Sequence, residues 1–162
     1  MKAVHLGLRQ RRSPALESSF FDPDMPAEWR VAFLLNEQDA LWVAEGDPDV
    51  ETVLAELAEA PASVFVVVEA AAWSPDWETV RKQAYHRVIR LDDAVPLWRP
   101  GGDLTGAAVG LVPASGDAAT LRAWLEDFTA QAPAEAALFV DGEPPSVATV
   151  DRLRTLAELM GL

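Results

Sequence analysis

The sequence predicts an α/β fold, with a mostly parallel sheet of about six strands and helices on both faces, open or curled into a partial barrel of βα repeats. Residues 64–68 form an unbroken apolar run, which is typical of a strand covered on both sides. Strand-like and helix-like segments alternate along the chain, which favours parallel pairing with right-handed crossovers. The length of 162 residues is too small for an eight-stranded barrel, which usually needs about 200 residues or more.

Length and composition limit the classes of protein to which the chain can belong. A chain of 162 residues suffices for one domain with a sizeable core, so we expect a single α/β domain over residues 1–162. The formal net charge of −13 argues against nucleic-acid binding, because phosphate neutralisation needs a basic patch. The sequence has no cysteine, which excludes a disulfide framework and a thiolate zinc site.

The sequence also predicts where the protein resides. No stretch approaches the ~18 consecutive apolar residues of a membrane span, and the apolar part of the N-terminal segment is too short for a secretory signal. We therefore expect a cytoplasmic protein with no membrane partner. Arginine outnumbers lysine 11 to 2 and alanine is abundant, which suggests a GC-rich bacterial genome.

Six segments are predicted as strands, namely residues 3–8, 40–44, 63–69, 86–91, 107–112 and 136–140. Residues 31–35 are fully apolar and also suit a strand, but the spacing of Trp29, Ala32 and Phe33 favours a helix. Residues 15–24 show no clear period and predict a loop. Residues 95–106 contain two prolines and three glycines and predict a long irregular loop, which in a compact domain is often functional.

Five helices are predicted from their capping residues and apolar stripes. The capping residues are Asp24, Asp47, Ser74, Asp117 and Ser146, and a proline follows the first three within two residues. The helix after Asp47 shows the clearest stripe, with apolar residues at positions 50, 53, 54 and 57.

Charged residues that follow the predicted strands are the candidates for a binding site, because ligands of parallel sheets bind at the carboxyl edge. These residues are Arg9, Arg11, Arg12, Glu45, Glu69, Asp92, Asp93 and Asp141. Carboxylates with arginines beside them suit Mg²⁺ and a phosphate-bearing ligand. Alternatively, the carboxylates cap helices, and the arginines lie in a solvated loop or dock on the acidic surface of a second copy.

Trp98 is the candidate for a binding aromatic, because it lies in the predicted loop and outside every strand and helix. His5 and His86 fall in strands, where a lone histidine is more often a satisfied core residue than a general base. The glycines at positions 101, 102 and 106 could form an anion cradle, but neither nucleotide-binding spacing is present, so we interpret them as loop residues. No serine lies in a G-x-S-x-G elbow.

Residues 20–36, FFDPDMPAEWRVAFLLN, resemble the first βα unit of the DUF72 (YecE-like) family. Phe21, Pro23 and Pro26 match that unit in residue type, and residues 5–7 resemble the end of its first strand. The resemblance implies an α/β barrel-like topology, and no site residue is carried over from it.

Two functions are consistent with these patterns. The first is a non-enzymatic binding or homo-oligomeric assembly module that takes a small anionic ligand or forms a homodimer through Trp98 or the arginines at positions 9–12. The second is a Mg²⁺-dependent phosphate-handling hydrolase that uses Glu69, Asp92 and Asp141 at the carboxyl edge. The sequence identifies no catalytic residue and no cofactor.

Overall fold

The structure is a computed structural model that describes residues 2–83, 85–92, 95–102 and 104–162. Its elements in chain order are β1 (Ala3–Leu8), α1 (Ala15–Ser19), a 3-10 turn (Ala27–Trp29), α2 (Arg30–Glu37), β2 (Ala40–Ala44), α3 (Val50–Glu59), β3 (Phe65–Glu69), α4 (Pro75–Arg81), β4 (Arg87–Leu91), β5 (Val109–Pro113), α5 (Ala118–Gln131), β6 (Glu135–Asp141) and α6 (Val147–Met160). None of the described helices is long and apolar enough to cross a membrane.

The six strands form two parallel sheets of three strands each, in the orders β2-β3-β4 and β1-β6-β5. The α/β class and the parallel pairing are therefore confirmed, whereas the prediction of one six-stranded sheet is wrong. The strand β3 lies between β2 and β4, and both neighbours run in its direction. The apolar run is thus an interior strand, as its composition indicates.

The two faces of β3 are covered by different kinds of element. Val66 and Val68 pack beneath α2, α3 and α4. Phe65 and Val67 point the other way and pack with residues of the second sheet. The prediction of helices on both faces is therefore wrong, because helices cover only the outer face of each sheet. A second sheet excludes water from an apolar face as well as a helix does. The apolar run of residues 64–68 therefore cannot show whether a helix or a sheet covers each face.

The space between the sheets is filled by a shared cluster that we call the inner core. It consists of Ala40, Trp42, Phe65, Val67, Leu91, Val109, Leu111, Ala137 and Phe139. Trp42 of β2 and Phe139 of β6 meet edge to face across it, with ring centroids 5.1 Å apart. The inner core therefore joins the two sheets into one packed unit.

The strands β1 and β2 lie side by side at a junction that we call the β1–β2 seam. Gly7 lies against the backbone of Ala40. The backbone N–H of Leu6 donates to Asp39 Oδ1 at 2.9 Å, and that of Leu8 donates to Gln38 Oε1 at 3.0 Å. Side-chain oxygens thus take the place of a backbone ladder at the seam. At the opposite side, β4 and β5 are outer strands that do not pair in the described part of the chain, so the barrel is not closed.

Two segments differ in their agreement with the predicted local structure. Residues 31–35 lie within α2, so the helical interpretation is confirmed and the strand alternative is wrong. Residues 15–24 were predicted as a loop, but they contain the five-residue helix α1. Its Leu16 is fully buried, and a single turn of helix around one anchoring residue leaves no periodic pattern to detect.

Three of the five predicted caps are confirmed. Ser74, Asp117 and Ser146 each accept the backbone N–H of the third residue that follows, at 3.4, 2.8 and 3.1 Å. The caps predicted at Asp24 and Asp47 are wrong. The 3-10 turn follows Pro26, and α3 follows Asp49. Asp47 instead accepts the backbone N–H of Ala44 at 3.0 Å, which closes the turn after β2.

Candidate functional site

The carboxyl ends of the two sheets meet at one edge of the molecule. Arg9 follows β1, and Asp141 ends β6 beside it. Glu69 ends β3 in the other sheet. Trp42 of β2 lies between these groups, because the Arg9 guanidinium stands over its ring at 5.2 Å from the centroid. The structure therefore brings three of the predicted residues together through a tryptophan that the sequence prediction placed only in a strand.

The first half of this site is an ion pair supported by an amide. Arg9 Nη1 lies 3.2 Å from Asp141 Oδ1, and Gln10 Nε2 donates to the same oxygen at 2.5 Å. Gln10 Oε1 accepts the backbone N–H of Gly142 at 3.0 Å, which fixes the amide. Burial opposes ionisation of Asp141, but the Gln10 and Arg9 hydrogen bonds and the charges of Arg9 and Arg99 outweigh it and lower the pKa of the carboxyl. Asp141 is thus held as a carboxylate.

The second half is a carboxylate held by a neutral donor. Trp42 Nε1 donates to Glu69 Oε1 at 2.5 Å. The ring of Trp42 is fixed by the edge contact with Phe139, and Trp42 is only 5% exposed. Glu69 itself remains half-buried at the end of β3. Its position is therefore set by a rigid strand and a packed indole.

Two clefts open at this edge and share Arg9, Trp42 and Glu69. The larger one, which we call the edge cleft, has a volume of about 670 Å³. Its charged lining residues are Arg9, Glu69, Asp92 and Arg99, and its larger apolar lining residues are Trp42, Leu91, Val95 and Leu97. The smaller cleft has a volume of about 460 Å³ and extends along residues 9–14 towards Asp47 and Glu143. Mixed apolar and charged walls of this kind are typical of small-molecule sites.

The segment around Trp98 positions one wall of the edge cleft. The backbone N–H of Trp98 donates to Val109 O at 3.0 Å, and Trp98 O accepts the N–H of Leu111 at 2.9 Å, so the segment extends the sheet beyond β5. In extended backbone, alternate side chains point to opposite faces. Trp98 points into the apolar cluster beneath α5 and α6, which we call the outer core, whereas Leu97 and Arg99 line the edge cleft.

Trp98, which the sequence suggested as a binding aromatic, is 1% exposed. Its ring packs on Phe128 with centroids 5.3 Å apart. The residue therefore offers no surface to a partner in this structure. Arg99 next to it is exposed, lies at the cleft wall and is the group that the sequence analysis missed.

Arg11 and Arg12 are engaged within the chain. The Arg11 guanidinium donates to Trp42 O at 2.8 Å and to both oxygens of Asp49, and it pairs with Asp47 at 3.1 Å. Arg12 pairs with Asp47 at 3.4 Å from a half-exposed position. Burial opposes ionisation of Asp49, but the contacts with Arg11 and Arg12 outweigh it and lower the pKa of that carboxyl. Arg11 and Arg12 therefore hold the turn after β2 in place, and their charges are balanced by Asp47 and Asp49.

The remaining candidates occupy different positions. Asp92 lines the edge cleft and accepts from Arg90 Nη1 at 2.9 Å. Glu45 is exposed, and its backbone N–H donates to Glu69 O. Asp93 lies outside the described residues. Among the glycines that the sequence predicts to be loop residues, the N–H groups of residues 102 and 106 donate to Arg99 O and Gln131 O inside the chain.

The histidines lie away from the carboxyl edge. His86 is buried, where its Nδ1 accepts the N–H of Val64 at 3.2 Å and its Nε2 lies 2.7 Å from Leu57 O. His5 lies near the amino end of β1, where it forms ion pairs with Asp39 at 3.1 Å and Glu135 at 3.3 Å. Neither is placed to act at the edge cleft. Among the described residues, no group of three or more histidines and carboxylates is arranged to hold a metal ion.

Comparison of the chain with protein-family models, with curated proteins and with solved structures found no match. The resemblance to the DUF72 family therefore stays a prediction. What the protein does has to be inferred from the edge cleft itself.

Proposed function

We propose that the protein is a binding module for a small anionic ligand, which it takes up in the edge cleft at Arg99. The proposal rests on the exposure of this side chain and on its ion pairing. Arg99 is exposed at the cleft wall, and none of the ion pairs between described residues includes it. A guanidinium group presents a planar fork of donors that matches a carboxylate or a phosphate.

The other charged groups at the edge favour binding over metal-dependent hydrolysis. Asp141 is occupied by Arg9 and Gln10, and Asp92 is bonded to Arg90. Each of these carboxylates serves a partner inside the chain instead of converging on a common point. The apolar wall then supplies contact area for the rest of a small ligand.

The features that would carry a homodimer contact are used within the chain. Trp98 is buried in the outer core, and Arg11 is enclosed by Trp42 and the two aspartates. We therefore base the proposal on a small ligand and not on assembly.

The test measures ligand binding by calorimetry and thermal shift with phosphate, sulfate, acetate and butyrate. A ligand that binds only the native state raises the melting temperature. We expect at least one of these anions to bind, and we expect Arg99→Gln to weaken it about tenfold or more, because a charge-assisted bond is lost. Arg152→Gln is the matched control, because Arg152 is an exposed arginine on α6. Equal affinity in the Arg99→Gln protein, or no binding of any anion, would refute the proposal.

A further inference from the structure

We infer that the ligand is a zwitterion of the amino-acid class, whose carboxylate binds Arg99 and whose ammonium group binds Glu69. This inference rests on the proposed function: the anionic group that binds Arg99 is the carboxylate of a molecule that also carries an ammonium group. It follows from the charges that line the edge cleft and take part in none of the ion pairs between described residues.

The negative side of this set of charges is Glu69. Its Oε1 accepts the indole N–H of Trp42, which is a neutral donor and leaves the full carboxylate charge in place. None of the ion pairs between described residues includes Glu69, although the residue lines both clefts. A carboxylate in this setting has lone pairs to accept from a cation, and an ammonium group supplies three N–H donors.

The positive side is Arg99, because the other arginine of the cleft is already neutralised. Arg9 pairs with Asp141 at 3.2 Å and lies over the ring of Trp42. Asp92 in turn is bonded to Arg90. Within the described lining of the edge cleft, one cation and one anion are therefore left without an ion-pair partner. A ligand with a single charge would leave one of them unmatched, whereas a zwitterion satisfies both.

The cleft holds the negative group of this pair in place. Glu69 is held by the packed indole of Trp42, whereas only the backbone beside Arg99 is anchored, through the pairing of Trp98 with β5. The Glu69 carboxylate, which is fixed before binding, loses little conformational entropy on binding. Leu91 and Leu97 also line the cleft and provide an apolar surface for the hydrocarbon part of an aliphatic amino acid.

The experiment compares the affinities of α-, β- and γ-aminobutyrate with those of butyrate and butylamine, by calorimetry on the full chain. The three isomers share one carbon skeleton and place the ammonium group at different distances from the carboxylate. We expect at least one isomer to bind about tenfold or more tightly than butyrate, since it adds a charge-assisted hydrogen bond. Butylamine, which cannot bind Arg99, should bind more weakly than that isomer.

The variant Glu69→Gln separates this inference from the proposed function. Its amide oxygen can still accept from Trp42, so the site stays folded while the negative charge is removed. We expect the aminobutyrate to lose its advantage over butyrate, while butyrate itself binds at least as tightly as before, because a negative charge has been removed from the cleft. The matched control is Glu45→Gln, an exposed carboxylate at the same edge that lines neither cleft, and it should leave both affinities unchanged.

The outcomes are distinct. If butyrate binds through Arg99 as tightly as every aminobutyrate, or if Glu69→Gln leaves the preference for the amino acid intact, the zwitterion inference is overturned and anion binding stands. If neither butyrate nor any aminobutyrate binds, the zwitterion inference is overturned, and the proposed function falls with it if phosphate, sulfate and acetate also fail to bind. Far-UV circular dichroism of each variant without ligand verifies that it is folded.

Discussion

Arg11 and Arg12 show how neighbouring residues of one type acquire different roles. Both follow the first strand, where the sequence is consistent with a phosphate-binding edge, a solvated loop or a contact with a second copy. Arg11 turns inward, where its side chain is 4% exposed and its donors are taken by Trp42 O, Asp47 and Asp49. Arg12 remains 43% exposed. The sequence contains the two aspartates that bind Arg11, but pairing residues 36 or more positions apart requires the turn after β2 to be known.

His5 carries a prediction for the pH dependence of stability. Burial lowers its pKa, but the contacts with Asp39 and Glu135 outweigh burial and raise it above the ordinary value of 6.5. Protonated His5 therefore stabilises the fold below about pH 6.5, and this contribution is lost as the pH rises through the folded-state pKa. We expect His5→Gln to lower the free energy of unfolding by on the order of 1 kcal/mol more at about pH 5.5 than at about pH 8.5. Urea denaturation at both pH values measures the difference.

Glu135→Gln serves as the control for this pH effect. It removes one of the two charges that face His5 and leaves the other in place. The pH dependence attributed to His5 should shrink in this variant without vanishing. Equal destabilisation by His5→Gln at the two pH values would show that the ion pairs do not favour the protonated ring.

At the scale of elements, the strands were the most predictable part of the chain. Each predicted strand overlaps an observed one, because a buried parallel strand has a continuous apolar run and polar ends. The residues that end these strands were also placed at the correct edge. The sequence pattern could not predict whether a helix or a second sheet packs on each apolar face, because either one excludes water equally well. The division of the six strands into two sheets therefore could not be predicted from the sequence.

The β1–β2 seam gives a second prediction. A Cβ atom at Gly7 would overlap the carbonyl oxygen of Ala40, and neither backbone can move without disturbing a strand. We expect Gly7→Ala to lower the free energy of unfolding by about 3 kcal/mol, as overpacking against backbone does. Chemical denaturation measures the loss. Gly46→Ala is the matched control, since a Cβ there meets nothing within 4 Å. A loss at Gly7 no larger than at Gly46 would contradict the close approach.

The segment at residues 97–99 explains why the site was only partly predicted. Its composition predicts an irregular loop. In the structure, Trp98 pairs with β5, and Leu97 and Arg99 line the edge cleft. Which of Trp98 and Arg99 faces the cleft depends on a register of one residue. Nothing in the local composition fixes that register, so the exposed arginine was missed and the buried tryptophan was chosen.

At the scale of the whole molecule, the site exists only where the two sheets meet. One sheet supplies Arg9 and Asp141, and the other supplies Trp42 and Glu69. The carboxyl edge could be predicted from the ends of the strands alone. The contact of Arg9 with Trp42 could not, because it depends on how the sheets pack around the inner core.

The shared inner core predicts a single cooperative unfolding transition. Because residues of both sheets fill it, neither sheet can keep its inner face buried after the other unfolds. Tryptophan fluorescence reports Trp42 in the inner core, Trp77 in the cluster beneath α2, α3 and α4, and Trp98 in the outer core. We expect its change during urea denaturation to coincide with that of far-UV circular dichroism. Two separated transitions would show that the sheets are independent units.

The side chains of Gln38 and Asp39 also complete the hydrogen bonding of β1 on the side that faces β2. Without them, backbone amides of β1 would be buried against β2 with no acceptor, and a buried amide without an acceptor costs about 1–3 kcal/mol. Here two of those amides, at Leu6 and Leu8, are already saturated by carboxylate and amide oxygens. No further strand can add at this margin, because β2 and these two side chains already occupy it.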